Sequence, residues 1–480
     1  MVANAAQMLN ESAEIERMNK LFEAQKQAFN NMPMPTAEYR IDALKRLKAA
    51  VIKHQDILAD AINQDYGCRA KGDTKIAEIL TTVEGINMAL HNTKKWMKPS
   101  KRKVGMLFAP ATNEVVYQPL GVVGIIVPWN YPIFLALGPL LAALSAGNRA
   151  LVKMSEFTPH TNAALKKMLA ECFAEDEVAL IEGEVETAVE FSNLPFNHMF
   201  FTGSTAVGRH IMAAAAKNLT PVTLELGGKS PAMIAPTANM KDAAERICFG
   251  KTLNAAQTCV APDYVLCPAG REEEFINEFK NTFKGMYPTI KDNQDYTSIV
   301  NDRQYERLTG WLADAIEKGA RITEINPANE DLTGTRKIAP TMIQGGTDDM
   351  TVMQQELFGP ILPIISYTNI DEAIAYVNER PRPLALYYFG YDKSQQDYVL
   401  NKTHSGGVSV NDTLVHLAQE DMPFGGVGDS GMGGYHGHDG FLTFSHAKSI
   451  HRKGKFNSGK LAYPPYNRLI HSLIYKFFIR

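Results

Sequence analysis

The chain has 480 residues, enough for two or three domains, and its 45% hydrophobic and 21% charged residues are the ordinary balance of a globular protein with large cores. A formal net charge of −3 carries no basic excess, so nucleic acid is not an expected partner. Five cysteines without a CxxC pair fit a reducing, cytoplasmic setting, and the sequence offers no secretory signal and no apolar run long enough to span a membrane.

In chain order, residues 1 to about 100 read as helices, the first broken near Pro33–Pro35. The next puts Ile41, Leu44, Leu47, Val51 and Ile52 on one face and stops at Gly67. From Asn113 the pattern turns extended: NEVVYQPLG suggests an exposed ribbon and VVGIIVPWN a buried strand. A long apolar helix closed by Gly147-Asn148 follows, then the strand RALVK (149–153), a helix over about 161–173, a short strand at 179–182 and the run HMFFTGS (198–204). After the helix AVGRHIMAAAAK comes the strand PVTLEL (221–226), then a short apolar run (230–235) and a helix over about 240–254. Strands alternating with helices predict parallel sheets covered on both faces. A second βα series follows, and from Met422 the chain is glycine-rich. The final NRLIHSLIYKFFIR is apolar at helical spacing, fitting a surface-docked helix, with a membrane-surface contact as the alternative.

The chemistry centres on Thr223–Cys259, which begins with Glu225 in a glycine-flanked turn and ends in Cys259. A thiolate is a strong nucleophile, and a nearby carboxylate can activate water against an acyl group held on sulfur. Taken alone, either residue has a plainer reading, and most cysteines are buried small hydrophobes. FFTGSTAVG places Gly203, Ser204 and Gly208 between a strand and a helix, a turn that lets N–H groups approach a phosphate but that occurs throughout α/β proteins. Lys153 and Glu156 at a strand end suit ribose hydroxyls, or are surface decoration. Asn130, between a Pro-Trp pair and an apolar helix, suits a developing oxyanion or a helix cap. Glu356 and Phe358 in QELFGP suggest by themselves only a turn. His436, His438, His446 and His451 have no metal-ligand spacing, so no metal is expected.

PWNYP, LVKMSE, FTGSTAVG, LELGGKSP, the NAAQTC cysteine, QELFGP and PFGGVGDSGMG, in this order over Tyr117–Lys448, resemble the aldehyde dehydrogenase superfamily. NDTLVH with PFGGVGDSGMGGYHG is similar to its class-three branch, which includes fatty, aromatic and coniferyl aldehyde dehydrogenases. The resemblance implies an α/β fold: a doubly wound, Rossmann-like cofactor domain (1–112 and 129–235), an α/β catalytic domain (236–420) and a β-ribbon oligomerisation element with a C-terminal cap segment (113–128 and 421–480). It implies Cys259 as nucleophile, Asn130 and the Cys259 N–H as oxyanion donors, and Glu225 as the base that hydrolyses a thioester. Lys153, Glu156, Gly203, Ser204, Gly208, Glu356 and Phe358 would hold NAD, with NADP possible. Tyr131, Leu414, Leu417 and Phe424 would line the aldehyde tunnel. A homodimer acting on coniferyl aldehyde or a medium- to long-chain aldehyde is the expectation. A cofactor-independent thiol hydrolase would instead need a histidine beside Cys259, from His198, His210 or His416; a non-catalytic structural role would be favoured by loss of Cys259 or Glu225, and both are present.

Overall fold

The computed structural model describes residues 2–479. Two long helices, Val2–Asn31 and Ala37–Tyr66, open the chain, and the second stops at Gly67, whose φ of 75° belongs to the left-handed region that glycine enters without strain. Three sheets follow.

The first sheet has the spatial order Gly431–Met432, Val222–Glu225, His198–Thr202, Val122–Ile126, Arg149–Lys153, Val178–Ile181, and all pairs are parallel except the glycine edge. Successive crossovers run outward from Val122–Ile126 in both directions, which makes its C-terminal end the topological switch point where ligands of doubly wound sheets bind. Its central strands are buried along their whole length, as parallel strands covered on both faces must be. The second sheet runs Arg321–Glu324, Thr341–Gln344, Ile361–Tyr367, Tyr264–Pro268, Pro231–Ile234, Ala385–Phe389, Gly407–Val410, parallel but for its first strand. The third is a ribbon in which Ala111–Pro119 pairs over nine residues with Ser445–Lys453 and, on its other side, with Ser100–Arg102.

Three boundaries expected from the sequence move. Val122–Ile126 belongs to the centre of the cofactor sheet and not to the ribbon, because its five residues are all buried. Pro231–Ile234 leaves the first sheet and seeds the second, pairing with Tyr264–Pro268 and Ala385–Phe389, so the boundary expected after residue 235 would fall before this strand. Gly431–Met432, expected in the terminal segment, returns to the first sheet beside Glu225. The apolar helix Pro132–Ala146 is buried on every side, and the helix Gly437–Thr443 packs against it. Among the described residues no helix is long and apolar enough to cross a membrane.

Candidate active site

Parallel register aligns the ends of the cofactor strands: Lys153 stands opposite Ile126, Ile126 opposite Phe201, and Thr202 opposite Glu225. The chain leaves these ends as Trp129-Asn130 and Gly203-Ser204. Against this edge stands the opposite edge of the second sheet, where Cys259 precedes Tyr264–Pro268 and Glu356 precedes Ile361–Tyr367. The two edges enclose a cavity of about 220 Å³ lined by Asn130, Gly203, Ser204, Glu225, Cys259, Glu356, Phe358, Trp129 and Arg307. Seven residues singled out in the sequence are thereby brought together.

Cys259 is delivered by an unusual turn. Asn254, Ala255 and Ala256 have φ of 51°, 50° and 57°, three successive left-handed residues without a glycine. Each costs roughly 1–2 kcal/mol in an L-residue, so the turn persists only because it is held from several sides. Asp73 Oδ2 accepts from Asn254 N at 3.1 Å, Gln257 Nε2 donates to Ser298 O at 3.0 Å, and Val300 N donates to Gln257 Oε1 at 2.9 Å. Burial, with the Glu356 and Glu225 charges adding to it, pushes the Cys259 thiol up to about 12. Glu225 is buried with neither carboxylate oxygen hydrogen-bonded, and burial raises its pKa well above the usual carboxylate range. Glu356, raised to about 8 by burial and the Asp263 charge, is partly relieved by a hydrogen bond from Gly228. Of the two carboxylates, Glu225 is the one with free lone pairs for a proton.

Asn130 is not the cap of its helix. That position falls to Tyr131, which makes no side-chain cap bond, and the Asn130 amide donates to Gln257 O at 3.1 Å with its second N–H uncommitted. Lys229 forms a short ion pair with Asp263 and donates to Val352 O at 2.9 Å and Gln355 O at 2.8 Å; Asp263 Oδ1 accepts from Leu357 N at 2.8 Å. This clamp holds the loop carrying Glu356 and Phe358 and leaves Phe358 at φ 51°, its ring 5.3 Å from Trp129.

Sequence comparison fits this arrangement of thiol, free carboxylate and switch-point cleft. A profile described as "Aldehyde dehydrogenase family" matches residues 6–450. The chain belongs to the aldehyde dehydrogenase family. It is similar to a "Probable coniferyl aldehyde dehydrogenase" of Pseudomonas aeruginosa, 55% identical over 480 residues with both chains fully covered. It is also similar to a "Coniferyl aldehyde dehydrogenase" of Pseudomonas sp. strain HR199, 46% identical over 96% of each chain. Among solved structures, that of Staphylococcus aureus AldH in a substrate-bound state superposes with a TM-score of 0.91 at 39% identity, covering 96% of this chain and 99% of that one. The protein is an NAD(P)-dependent aldehyde dehydrogenase.

A second cleft of this aldehyde dehydrogenase, about 660 Å³, lies at the ends of Val122–Ile126 and Arg149–Lys153 between the helices Val185–Asn193 and Thr205–Ala216. Val185, Val189 and Val207 offer it apolar walls, and Lys153 and Glu156 stand on its rim. Lys153 is buried, its ammonium held by Met154 O and Gly183 O at 2.7 Å each, and burial lowers its pKa; Glu156 is exposed. An apolar slot for a base, a carboxylate for a ribose and the helix N-terminus at Ser204 fit a dinucleotide. Gly203 fits too, since a Cβ there would stand 2.6 Å from the Phe201 ring; Gly208 does not line the main cavity but lets its helix approach Leu226, where a Cβ would come within 2.6 Å.

The four expected tunnel residues divide. Tyr131 is buried with its hydroxyl 2.8 Å from Thr258 Oγ1, which ties it beneath the loop carrying Cys259. Leu414 sits in the core at φ 65°, Leu417 packs against that core, and Phe424 stacks 5.6 Å from His436. None of the four lines the cavity that holds Cys259. The histidines a thiol hydrolase would need are engaged elsewhere: His198 with Thr223 at 3.0 Å, His416 with Ser409 at 2.9 Å, and His210 on the second cleft. Sequence reading missed Arg69, Glu78, Arg307 and the Lys229–Asp263 clamp; LELGGKSP contains Lys229, but nothing in that motif announces its partner 34 positions away.

Proposed function

We propose that this enzyme oxidises an aryl aldehyde of the coniferyl type to its acid through Cys259, Asn130 and Glu225. The observation that carries this reading is a single cavity holding a thiol, an amide with a spare N–H and a carboxylate without partners. Cys259 Sγ adds to the carbonyl carbon as its thiol proton passes to Glu225 and on to solvent, and the oxygen gathers negative charge between the Asn130 amide and the Cys259 N–H. A nicotinamide bound in the cleft supplies a positive charge beside the thiol and a carbon that accepts hydride. Glu225 then takes a proton from water as the water attacks the thioester, releasing the acid and restoring the thiol. Glu156 takes the adenosine ribose beside the strand end that Lys153 braces through Met154 O and Gly183 O, Ser204 and Gly203 take the pyrophosphate, and Glu356 with Phe358 the nicotinamide side. Because Glu156 is exposed while the Lys153 ammonium is turned inward onto two carbonyls, NAD is preferred over NADP, whose 2′-phosphate the carboxylate repels.

The aryl preference is supported by the names of the two Pseudomonas relatives. The five free cysteines support a reducing cytoplasm. Absorbance of the reduced cofactor with a panel of phenylpropenals, benzaldehydes and medium- to long-chain alkanals, in NAD and in NADP, tests the reading. The highest kcat/KM is expected for a phenylpropenal with NAD; a higher value for the alkanals would transfer the assignment to fatty aldehydes. Cys259→Ala should abolish cofactor reduction. Glu225→Gln should give one rapid burst of reduced cofactor and then stall as an acyl-enzyme, and sustained turnover in that variant would remove Glu225 from its role.

A further inference from the structure

The short helix Lys71–Thr74 runs into a single π-helical turn, Lys75–Leu80, before the helix Thr81–Trp96. The turn disposes its side chains against hydrophobic logic: Ile76 and Leu80 are 63% and 52% exposed, while Glu78 is wholly buried. Single π turns insert one extra residue and re-aim the side chains around it, and they concentrate at functional sites. Here the re-aimed residue meets Arg69, equally buried, at 3.0 Å. Removing two charges from water is costly before their attraction is counted, so such a pair is poor evidence of stabilisation and asks for another reason.

Its remaining bonds supply one. Glu78 Oε2 accepts from Ile133 N at 2.8 Å and Phe134 N at 3.1 Å, capping from outside the helix that begins at Pro132. Asn130 takes no part in this cap, and its side-chain amide donates to Gln257 O at 3.1 Å with one N–H left over. The other arm of the Arg69 fork donates to Asn130 O at 2.5 Å, and the same carbonyl accepts from Tyr66 Oη and Asn254 Nδ2 at 3.2 Å each. The guanidinium also lies over the rings of Tyr66 and Tyr131, 5.1 and 4.8 Å from their centroids, and the Tyr131 hydroxyl reaches Thr258, the neighbour of Cys259. One buried fork therefore touches the main chain of the amide donor and, through one ring, the nucleophile loop.

We propose that Arg69 and Glu78 are positioning residues that fix the Asn130 main chain so that its spare amide N–H faces the oxyanion formed at Cys259. This rests on the reading of Asn130 as an oxyanion donor. Neither residue lines either cleft, and the pair reaches the site only through the Asn130 main chain and the Tyr131 ring, so its effect belongs to the step that forms reduced cofactor and not to cofactor affinity.

Stopped-flow bursts of reduced cofactor, with NAD Kd and Tm, measured for Arg69→Lys, Glu78→Gln and Tyr66→Phe alone and combined with Asn130→Ala, test it. Asn130→Ala alone should slow the burst by about 10²–10³. Arg69→Lys keeps a charge for Glu78 but loses the fork, and should slow the burst by about ten- to a hundredfold, as small misplacements of a reacting group do, with Kd for NAD unchanged. In the Asn130→Ala background the same substitution should cost nothing further, because the group it positions is gone. An equal loss in both backgrounds, or no loss in the first, overturns the proposal. An unchanged burst in Asn130→Ala overturns the oxyanion reading instead. Should the charge variants not fold, Tyr66→Phe removes one neutral donor from the same carbonyl, and the same cycle decides.

Discussion

Glu225 shows how one carboxyl can be set for catalysis at the expense of stability. Its two oxygens have no donors and burial lifts its folded-state pKa well above that of a free glutamate. Below the unfolded-state value of about 4.3 the group is protonated in both states and contributes no pH dependence. Above it the unfolded chain gains by ionising and the folded one does not, so this residue lowers stability progressively as pH rises toward the folded-state value. Glu225→Gln should therefore raise Tm at pH 8 and leave it unchanged near pH 4, read by calorimetry across that range. In the proposed mechanism the same shift means that the base form, and with it deacylation, increases as pH rises toward the folded-state value. Cys259 points in the same direction, since a thiol raised to about 12 is protonated at rest and reacts fully only when charge enters the cleft.

At the scale of elements, the glycine-rich segment after Met422 has a specific task. Gly431 pairs with Glu225 at φ 144°, and a Cβ there would stand 2.1 Å from Leu224 O. Gly431→Ala is expected to destabilise the protein by about 1–3 kcal/mol in denaturant titrations. It should also slow deacylation more than the burst, since the displaced strand carries the base. The motif was legible in the sequence as a string of glycines, but its return to the cofactor sheet was not, because a two-residue edge strand has no periodicity to read. The switch-point turns were legible for the opposite reason: HMFFT and RALVK carry apolar centres too short for a helix and bounded by polar residues, which reads as buried strand, and the turns at their ends follow. The left-handed turn before Cys259 was hidden, since Asn-Ala-Ala reads as helix and only contacts from Asp73, Ser298 and Val300 force it otherwise. Arg69 and Glu78 were hidden likewise, their nine-residue spacing becoming meaningful only once a π turn rotates one of them inward.

For the whole molecule, the ribbon and the last helix stand apart from both sheets. Leu469–Phe478 packs on Ser458–Ala462 and leaves Leu469, Phe477 and Ile479 at least 71% exposed, an apolar surface that suits burial against a second copy. Ending the chain at Pro465 should raise KM for bulky aldehydes, while burst rates with a small aldehyde stay unchanged; sedimentation of the two forms tests whether this surface holds a second copy. The sequence made the helix plain through its spacing; where it docks has no local signature.

Cys259 hangs from the starting edge of one sheet, whereas Asn130 and Glu225 hang from the finishing edge of the other. No single lobe owns a working site. A twist between the lobes too slight to melt any strand would still part sulfur from carboxyl, so catalytic rate is a gauge of how the two halves are seated, and it should fade in mild denaturant before the circular dichroism does.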